Sequence, residues 1–188
     1  MKSVAITGSF ASGKSFVLKY LEKIGYKIFS CDDYVKQLYL DSNVQEDILS
    51  IIDKIGEIFD KKRLIEIIYN DDNQRKKLEN YIHPKVRKGI SDFKNKYIDE
   101  QIVFVEVPLL FETGFNSDFD YSICVYCNEE NREKRAKARG DFNLEIYNKI
   151  RNVQLPQEAK TNLADFQINT DTDIEVQISK IIDTLNEY

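Results

Sequence analysis

The sequence predicts an α/β fold: a parallel five-stranded sheet flanked by helices, with a helical lobe inserted between its second and third strands. Three observations carry this. Apolar runs of strand length recur at 2–7, 26–29, 101–107, 121–127 and 166–169, and helical patterns separate them. Strands alternating with helices give a parallel sheet covered on both faces. The first run stops at Gly8, and the loop after it leads straight into a helical pattern. Between about 41 and 97 the chain is helical and strongly charged, with no strand to interrupt it.

Taken in order, Lys2 to Thr7 reads as a buried strand. Residues 14–23 place apolar side chains at 17, 18 and 21, a helical spacing, and Gly25 is a stop signal. Tyr26 to Phe29 is the second strand, followed by Ser30-Cys31-Asp32-Asp33 and a helix to about Leu40. The charged block comes next. Gln101 to Val107 is the most apolar strand in the chain, and Tyr121 to Cys127 the fourth. A basic helical stretch at 131–139 continues into further helix to about Lys160. Phe166 to Asn169 is the last strand, and 174–187 an amphipathic helix.

The chain has 188 residues, enough for one domain carrying an inserted lobe. Apolar residues make up 42% and charged residues 31%, which places it among globular proteins rather than disordered ones. Its net charge of −5 disfavours a dedicated nucleic-acid binder, which is usually basic. The apolar run at the N-terminus is too short for a signal segment, and no stretch approaches the ~18 apolar residues of a membrane span. A cytoplasmic protein is expected, without membrane or nucleic-acid partners and acting as a monomer. Cys31, Cys124 and Cys127 are too few and too odd in number for a disulfide framework. Cys124 and Cys127 form a CxxC inside a strand pattern, where residues three apart face opposite sides, so they read as core residues.

Gly8-Ser9-Phe10-Ala11-Ser12-Gly13-Lys14-Ser15 matches G-x-x-x-x-G-K-[ST] in full. The spacing has a physical reason. Such a loop wraps a phosphate with backbone N–H groups, and glycines permit the dihedrals this needs. The following helix aims its positive N-terminal end at the anion. Lys14 supplies a point charge, and Ser15 a hydroxyl for Mg²⁺. The strand before and the helix after supply the context that the pattern requires.

A switch GTPase is disfavoured. Asp53-Lys54-Ile55-Gly56 matches D-x-x-G but lies in a helical pattern, not at a strand end. Asn95-Lys96-Tyr97-Ile98-Asp99 is one residue too long for N-K-x-D. A small-molecule kinase instead needs a base near the acceptor hydroxyl and positive charge on the transferred group. Asp32 falls at the C-terminal end of the second strand, the edge where open α/β sheets bind ligands. Equally, Asp32 or Asp33 could cap the next helix. Glu106 ends the third strand, where a carboxylate either holds the water shell of Mg²⁺ or is a buried polar residue. Arg135 and Arg139 share a helix face; their stretch is either a solvated charged surface or a lid over the phosphates. His83, before Pro84, reads as the residue ahead of a helix start. Near that start, Lys85 and Arg87 either bind an anionic substrate arm or face solvent.

Beyond these elements the chain resembles the dephospho-CoA kinase family over nearly its whole length. The P-loop, Asp32 after the second strand, Leu78-Glu79-Asn80-Tyr81-Ile82-His83-Pro84 and Val107-Pro108-Leu109-Leu110-Phe111-Glu112 carry the likeness. So do Arg135 and Arg139, Gln154-Leu155-Pro156 with Lys160, Ala164-Asp165 and Ile168-Asn169. Gly56 to Leu64 is similar to a further family segment, with irregular spacing. The resemblance implies phosphorylation of the ribose 3′-hydroxyl of dephospho-CoA with ATP and Mg²⁺. It implies Asp32, Lys14 and Arg139 as catalytic residues. Gly8, Ala11, Ser12, Gly13, Lys14, Ser15, Phe16, Arg135 and Asn169 would hold the nucleotide, and His83, Lys85, Arg87, Pro108 and Leu109 the substrate. Ser15 and, through water, Glu106 would serve Mg²⁺. It also implies a core at about 1–32, 98–130 and 161–188, a substrate lobe at about 33–97 and a lid at about 131–160. The chain departs from the family at Ser30, Glu106 and Phe16, where Asp, Asp and Thr are usual, and at Ile150, where Arg is usual. Another nucleoside or nucleotide kinase, or a nucleotide-binding module without turnover, are the alternatives.

Overall fold

The computed structural model describes residues 1–138, 149 and 151–187. It divides into two compact units, one of Met1–Phe29 with Tyr97–Tyr188 and one of Ser30–Lys96.

The first unit is built on the sheet. Its strands are β1 (Lys2–Thr7), β2 (Lys27–Ser30), β3 (Ile102–Glu106), β4 (Tyr121–Tyr126) and β5 (Phe166–Asn169), in the order β2-β3-β1-β4-β5. The pairings of β1 with β3, β1 with β4 and β4 with β5 are all parallel, as the alternating pattern predicts. Ile6 stands opposite both Glu106 and Ile123, so β1, β3 and β4 end together at one edge. Asp residues fix where β1 and β4 begin. Asp120 accepts from the N–H and hydroxyl of Ser3, and Asp165 does the same for Ser122.

Helices α1 (Lys14–Lys23) and α8 (Ile174–Glu187) cover the sheet. Helix α8 buries Ile174, Ile178, Ile181 and Leu185, a spacing that lines one helical face. These side chains meet Val17, Leu21, Phe104, Ile123, Val125 and Ile168 in one core cluster. Helices α6 (Glu129–Lys137) and α7 (Gln157–Leu163) lie between β4 and β5 in the chain. All three cysteines are buried and none forms a disulfide, and burial pushes the Cys124 thiol up to about 11. This agrees with core packing rather than redox chemistry. Among the described residues no helix is long and apolar enough to cross a membrane.

The second unit is helical: α2 (Cys31–Leu38), α3 (Ser42–Ile51), α4 (Lys61–Asn70) and α5 (Asp72–Lys96). Side-chain caps start all four, with Asp71 accepting from the N–H groups of Asn73 and Gln74 at the start of α5. Asp41 accepts from the N–H of Asn43, Asp60 from that of Lys62, and Ser30 from that of Asp33. Asp53 to Gly56 lies in the turn after α3, with Gln74 and Lys77 of α5 holding the Asp53 carboxylate.

One expectation is corrected here. His83-Pro84 does not precede a helix; it lies inside α5, which runs unbroken past Pro84. An interior proline lacks a donor and costs about 3 kcal/mol. The apolar stripe of Leu78, Ile82, Val86 and Ile90 is buried on both sides of it, and burying such side chains contributes ~1.5–3 kcal/mol each. The stripe therefore carries the helix across the break. Lys85 and Arg87 consequently sit mid-helix rather than at the helix start.

Candidate active site

The loop between β1 and α1 is held from several sides. Gly8 adopts φ 151°, and a Cβ there would lie 2.2 Å from the carbonyl oxygen of Val125 on β4. Only glycine lets the loop leave the sheet so close to its neighbour. Gly13, at φ 99°, is the N-cap of α1 and provides no side-chain cap. No side-chain oxygen therefore caps the first turn of α1, whose Phe16 N–H donates to the Gly13 carbonyl at 3.0 Å. Ala11 stands at φ 63°, a left-handed conformation that costs a non-glycine residue about 1–2 kcal/mol. Its methyl packs with Phe10 against Ala136 of α6.

Polar groups converge on this loop. The Lys14 ammonium donates to the carbonyl oxygens of Gly8 at 2.8 Å and Ser9 at 3.3 Å, arching back over its own loop. The hydroxyls of Ser9 and Ser12 are buried and have no hydrogen-bond partner among the described residues. Leaving such groups unmatched costs free energy, which fits a loop that works around a polar ligand. Ser15 and Phe16 are exposed on the first turn of α1. Glu106 is 7% exposed at the end of β3, opposite Ile6 and so beside the strand that leads into the loop.

The segment after β3 is tied down by its carbonyls. Pro108 accepts from the Thr7 hydroxyl at 3.2 Å and from Lys160 at 2.7 Å. Leu109 accepts from the N–H and hydroxyl of Thr113. Lys160 is fully buried and pairs with Glu112 at 2.8 Å. Glu112 also accepts from the Leu155 N–H, and Gln154 accepts from the N–H of Phe10 in the phosphate loop. Residues 154–160 thus brace both the loop and the segment after β3. Breaking a buried pair leaves a buried charge unmatched and costs about 3–5 kcal/mol. Lys160→Ala should destabilise the protein by that amount in denaturant unfolding, and a loss under about 1 kcal/mol would contradict this bracing role.

Arg135 of α6 reaches the same loop from the other side. It donates to the Ser12 carbonyl at 3.3 Å, to the Thr170 hydroxyl at 2.7 Å and to the Thr170 carbonyl at 3.2 Å, and it pairs with Asp171. Burial alone would raise the Asp171 pKa. The Asn128 N–H, the Asn131 amide and Arg135 outweigh it, and the carboxyl lies below its usual range. Asn169 ends β5 and accepts from the Asp171 N–H through its side chain, shaping the turn that carries Thr170. Arg139 lies outside the described residues.

The first unit thus gathers the phosphate loop, Glu106, Pro108, Leu109, Arg135 and Asn169. Asp32, His83, Lys85 and Arg87 belong to the second unit. There Ser30, not either aspartate, caps α2, so the capping alternative does not account for Asp32. Asp33 pairs with Lys36 at 2.7 Å. Asp32 is exposed in the first turn of α2, close enough to Tyr69 of α4 to add to that phenol's raised pKa, which burial chiefly causes. His83 is half-buried and burial lowers its pKa; Glu79 and Arg87, one turn away on each side, act in opposite senses. The Lys85 ammonium lies 4.6 Å from the centre of the Tyr81 ring.

A parallel sheet of this order, with a phosphate loop between β1 and α1 and a carboxylate ending the adjacent strand, defines the class of P-loop kinases. Relatives narrow the class. The dephospho-CoA kinase family profile matches residues 2–175. A dephospho-CoA kinase of Rickettsia bellii is 42% identical over 98% of both chains. A dephospho-CoA kinase structure from Campylobacter jejuni superposes with a TM-score of 0.65 at 28% identity, covering 98% of this chain and 96% of that one. A Thermus thermophilus protein structure reaches 0.85 at 26% identity, covering 99% and 97%. The chain belongs to the dephospho-CoA kinase family, whose members catalyse the last step of coenzyme A biosynthesis.

Proposed function

We propose that this chain transfers the γ-phosphoryl group of ATP to the ribose 3′-hydroxyl of dephospho-CoA, giving CoA and ADP, as a cytoplasmic monomer. The observation that carries it is the Gly8–Ser15 loop. Gly13 leaves the start of α1 uncapped there, and Lys14 lies over the loop carbonyls. The loop amides and Lys14 bind the phosphates, and Asp32 takes the proton of the 3′-hydroxyl. Arg139 is assigned the charge on the transferring group, and Arg135 holds the loop. Phe16 and Asn169 flank the rest of the nucleotide. Pro108, Leu109, His83, Lys85 and Arg87 are assigned to the substrate. With the helix-start geometry gone, the charges of Lys85 and Arg87 alone support an anionic arm.

Among the described residues no cluster of three or more His, Cys, Asp or Glu could cage a metal ion. The Ser15 hydroxyl and the Glu106 carboxylate are oxygen donors that fit Mg²⁺, which takes one or two protein groups and completes its shell with water and substrate phosphates. Ser15 would supply its hydroxyl, and Glu106 would act through water. Bound Mg²⁺ would neutralise charge on the phosphate oxygens.

The test is product analysis. With ATP, Mg²⁺ and dephospho-CoA, the acceptor should gain one phosphate at the 3′-position for each ADP formed, and EDTA should stop the reaction. ATP consumption that does not depend on the acceptor would overturn the reading.

A further inference from the structure

We propose that Thr170 is a positioning residue that turns the Gly13 N–H toward the nucleotide phosphates by holding the other side of the same peptide. The proposal rests on the reading of Gly8–Ser15 as a phosphate site. The Ser12 carbonyl is the partner of the Gly13 N–H across one planar trans peptide, so the two groups point in opposite directions. Thr170 donates its hydroxyl to that carbonyl at 2.7 Å, and Arg135 donates to it at 3.3 Å. Both donors lie on the same side of the peptide unit, which directs the Gly13 N–H the other way. A loop of this kind binds anions only if successive N–H groups converge.

Three further observations show that Thr170 is built to hold. Its own N–H donates to the Tyr126 carbonyl at 2.9 Å, extending the β4–β5 pairing and anchoring Thr170 to the sheet. Its side chain fills the space beside Gly13, where a Cβ would lie 2.9 Å from both Thr170 Cγ2 and Oγ1. The backbone can then approach Thr170 only as glycine. Finally, the Thr170 hydroxyl accepts from Arg135 at 2.7 Å while it donates to Ser12. Asp171 fixes that arginine from behind, and also takes the Asn128 N–H and the Asn131 amide near the start of α6. The Ser12 carbonyl is therefore held by a chain of charged and neutral donors that ends on two rigid elements. Asn169 and Gln177 shape the same turn, so that the hydroxyl is delivered at a set height above the loop.

The test compares Thr170→Val, which keeps the shape and removes the hydroxyl, with Thr170→Ser, which keeps the hydroxyl. One hydrogen bond contributes about 0.5–1.5 kcal/mol, a factor of ~3–10 in affinity. Thr170→Val should weaken ADP binding about three- to tenfold in calorimetry and raise the KM for ATP similarly. Adenosine binding, the KM for dephospho-CoA and the melting temperature should stay close to those of the unaltered protein. Thr170→Ser should bind ADP like the unaltered protein. If Thr170→Val loses thermal stability but keeps its affinity for ADP, or loses ADP and adenosine affinity alike, the proposal is overturned. Lys14→Ala serves as the control for the underlying reading. If Lys14→Ala weakens ADP binding and Thr170→Val does not, the phosphate site stands and the role of Thr170 falls. If neither variant matters, the phosphate-site reading falls first.

Discussion

Lys14→Ala should abolish turnover while leaving the fold intact. Lys14 opens α1, and its ammonium lies against the Gly8 and Ser9 carbonyls. Both the motif and the structure place it at the phosphate loop. Its charge is worth most in the transition state, where negative charge shifts over the transferred phosphoryl group and its leaving oxygen. Removing one such preorganised donor costs about 3–4 kcal/mol, or two to three orders of magnitude in kcat. Stability should change little. The helix keeps the Val17, Leu18 and Leu21 packing that holds it to the sheet. Kinetics of the purified variant beside a thermal melt check this. A folded variant with near-normal kcat would remove the phosphate loop from the mechanism.

Asp32→Asn should lower kcat by about 10²–10⁴-fold, the usual contribution of a general base, with a much smaller change in the KM for ATP. The Asp33 N–H donates to Ser30 and its carboxylate pairs with Lys36. Asp32 is exposed in the first turn of α2, at the end of the second strand. Asp33→Asn should therefore affect stability by a few tenths of a kcal/mol, as an exposed pair does, and leave kcat nearly intact. A crippled Asp33→Asn beside an active Asp32→Asn would reverse the assignment.

Much of this architecture is legible in the sequence because its signals are local. The short apolar runs report the five strands, the full G-x-x-x-x-G-K-S pattern reports the loop, and the apolar spacing at 174–187 reports α8. The Ser30 departure is legible in hindsight for the same reason. Serine is as good a helix cap as aspartate, so the substitution keeps the start of α2 while removing a carboxylate. What was misread depends on competition between local and long-range terms. Pro84 signals a helix start, yet the stripe from Leu78 to Ile90 outweighs it. What was missed depends on pairs remote in sequence. Lys160 carries the family likeness with no role attached, and only the fold shows it buried against Glu112 and Pro108. Gln154 was matched to a family segment with no role attached, and its contact with Phe10 spans 144 residues. Thr170 and Asp171 carry no motif; their meaning comes from β5 ending beside the loop after β1.

The central claim is that the acceptor is dephospho-CoA rather than a simpler nucleotide. The Ser30–Lys96 unit is the largest insertion between strands of the sheet, far more chain than a nucleoside needs. Binding energy from the diphosphate and pantetheine arm would position the 3′-hydroxyl for in-line attack. The most direct test is the ratio of kcat/KM for dephospho-CoA to that for AMP, measured with the same enzyme at saturating ATP and Mg²⁺. The account predicts a ratio of at least about 10², equivalent to ~3 kcal/mol of remote contacts. Equal values for the two acceptors would contradict it and leave a P-loop kinase without this specificity.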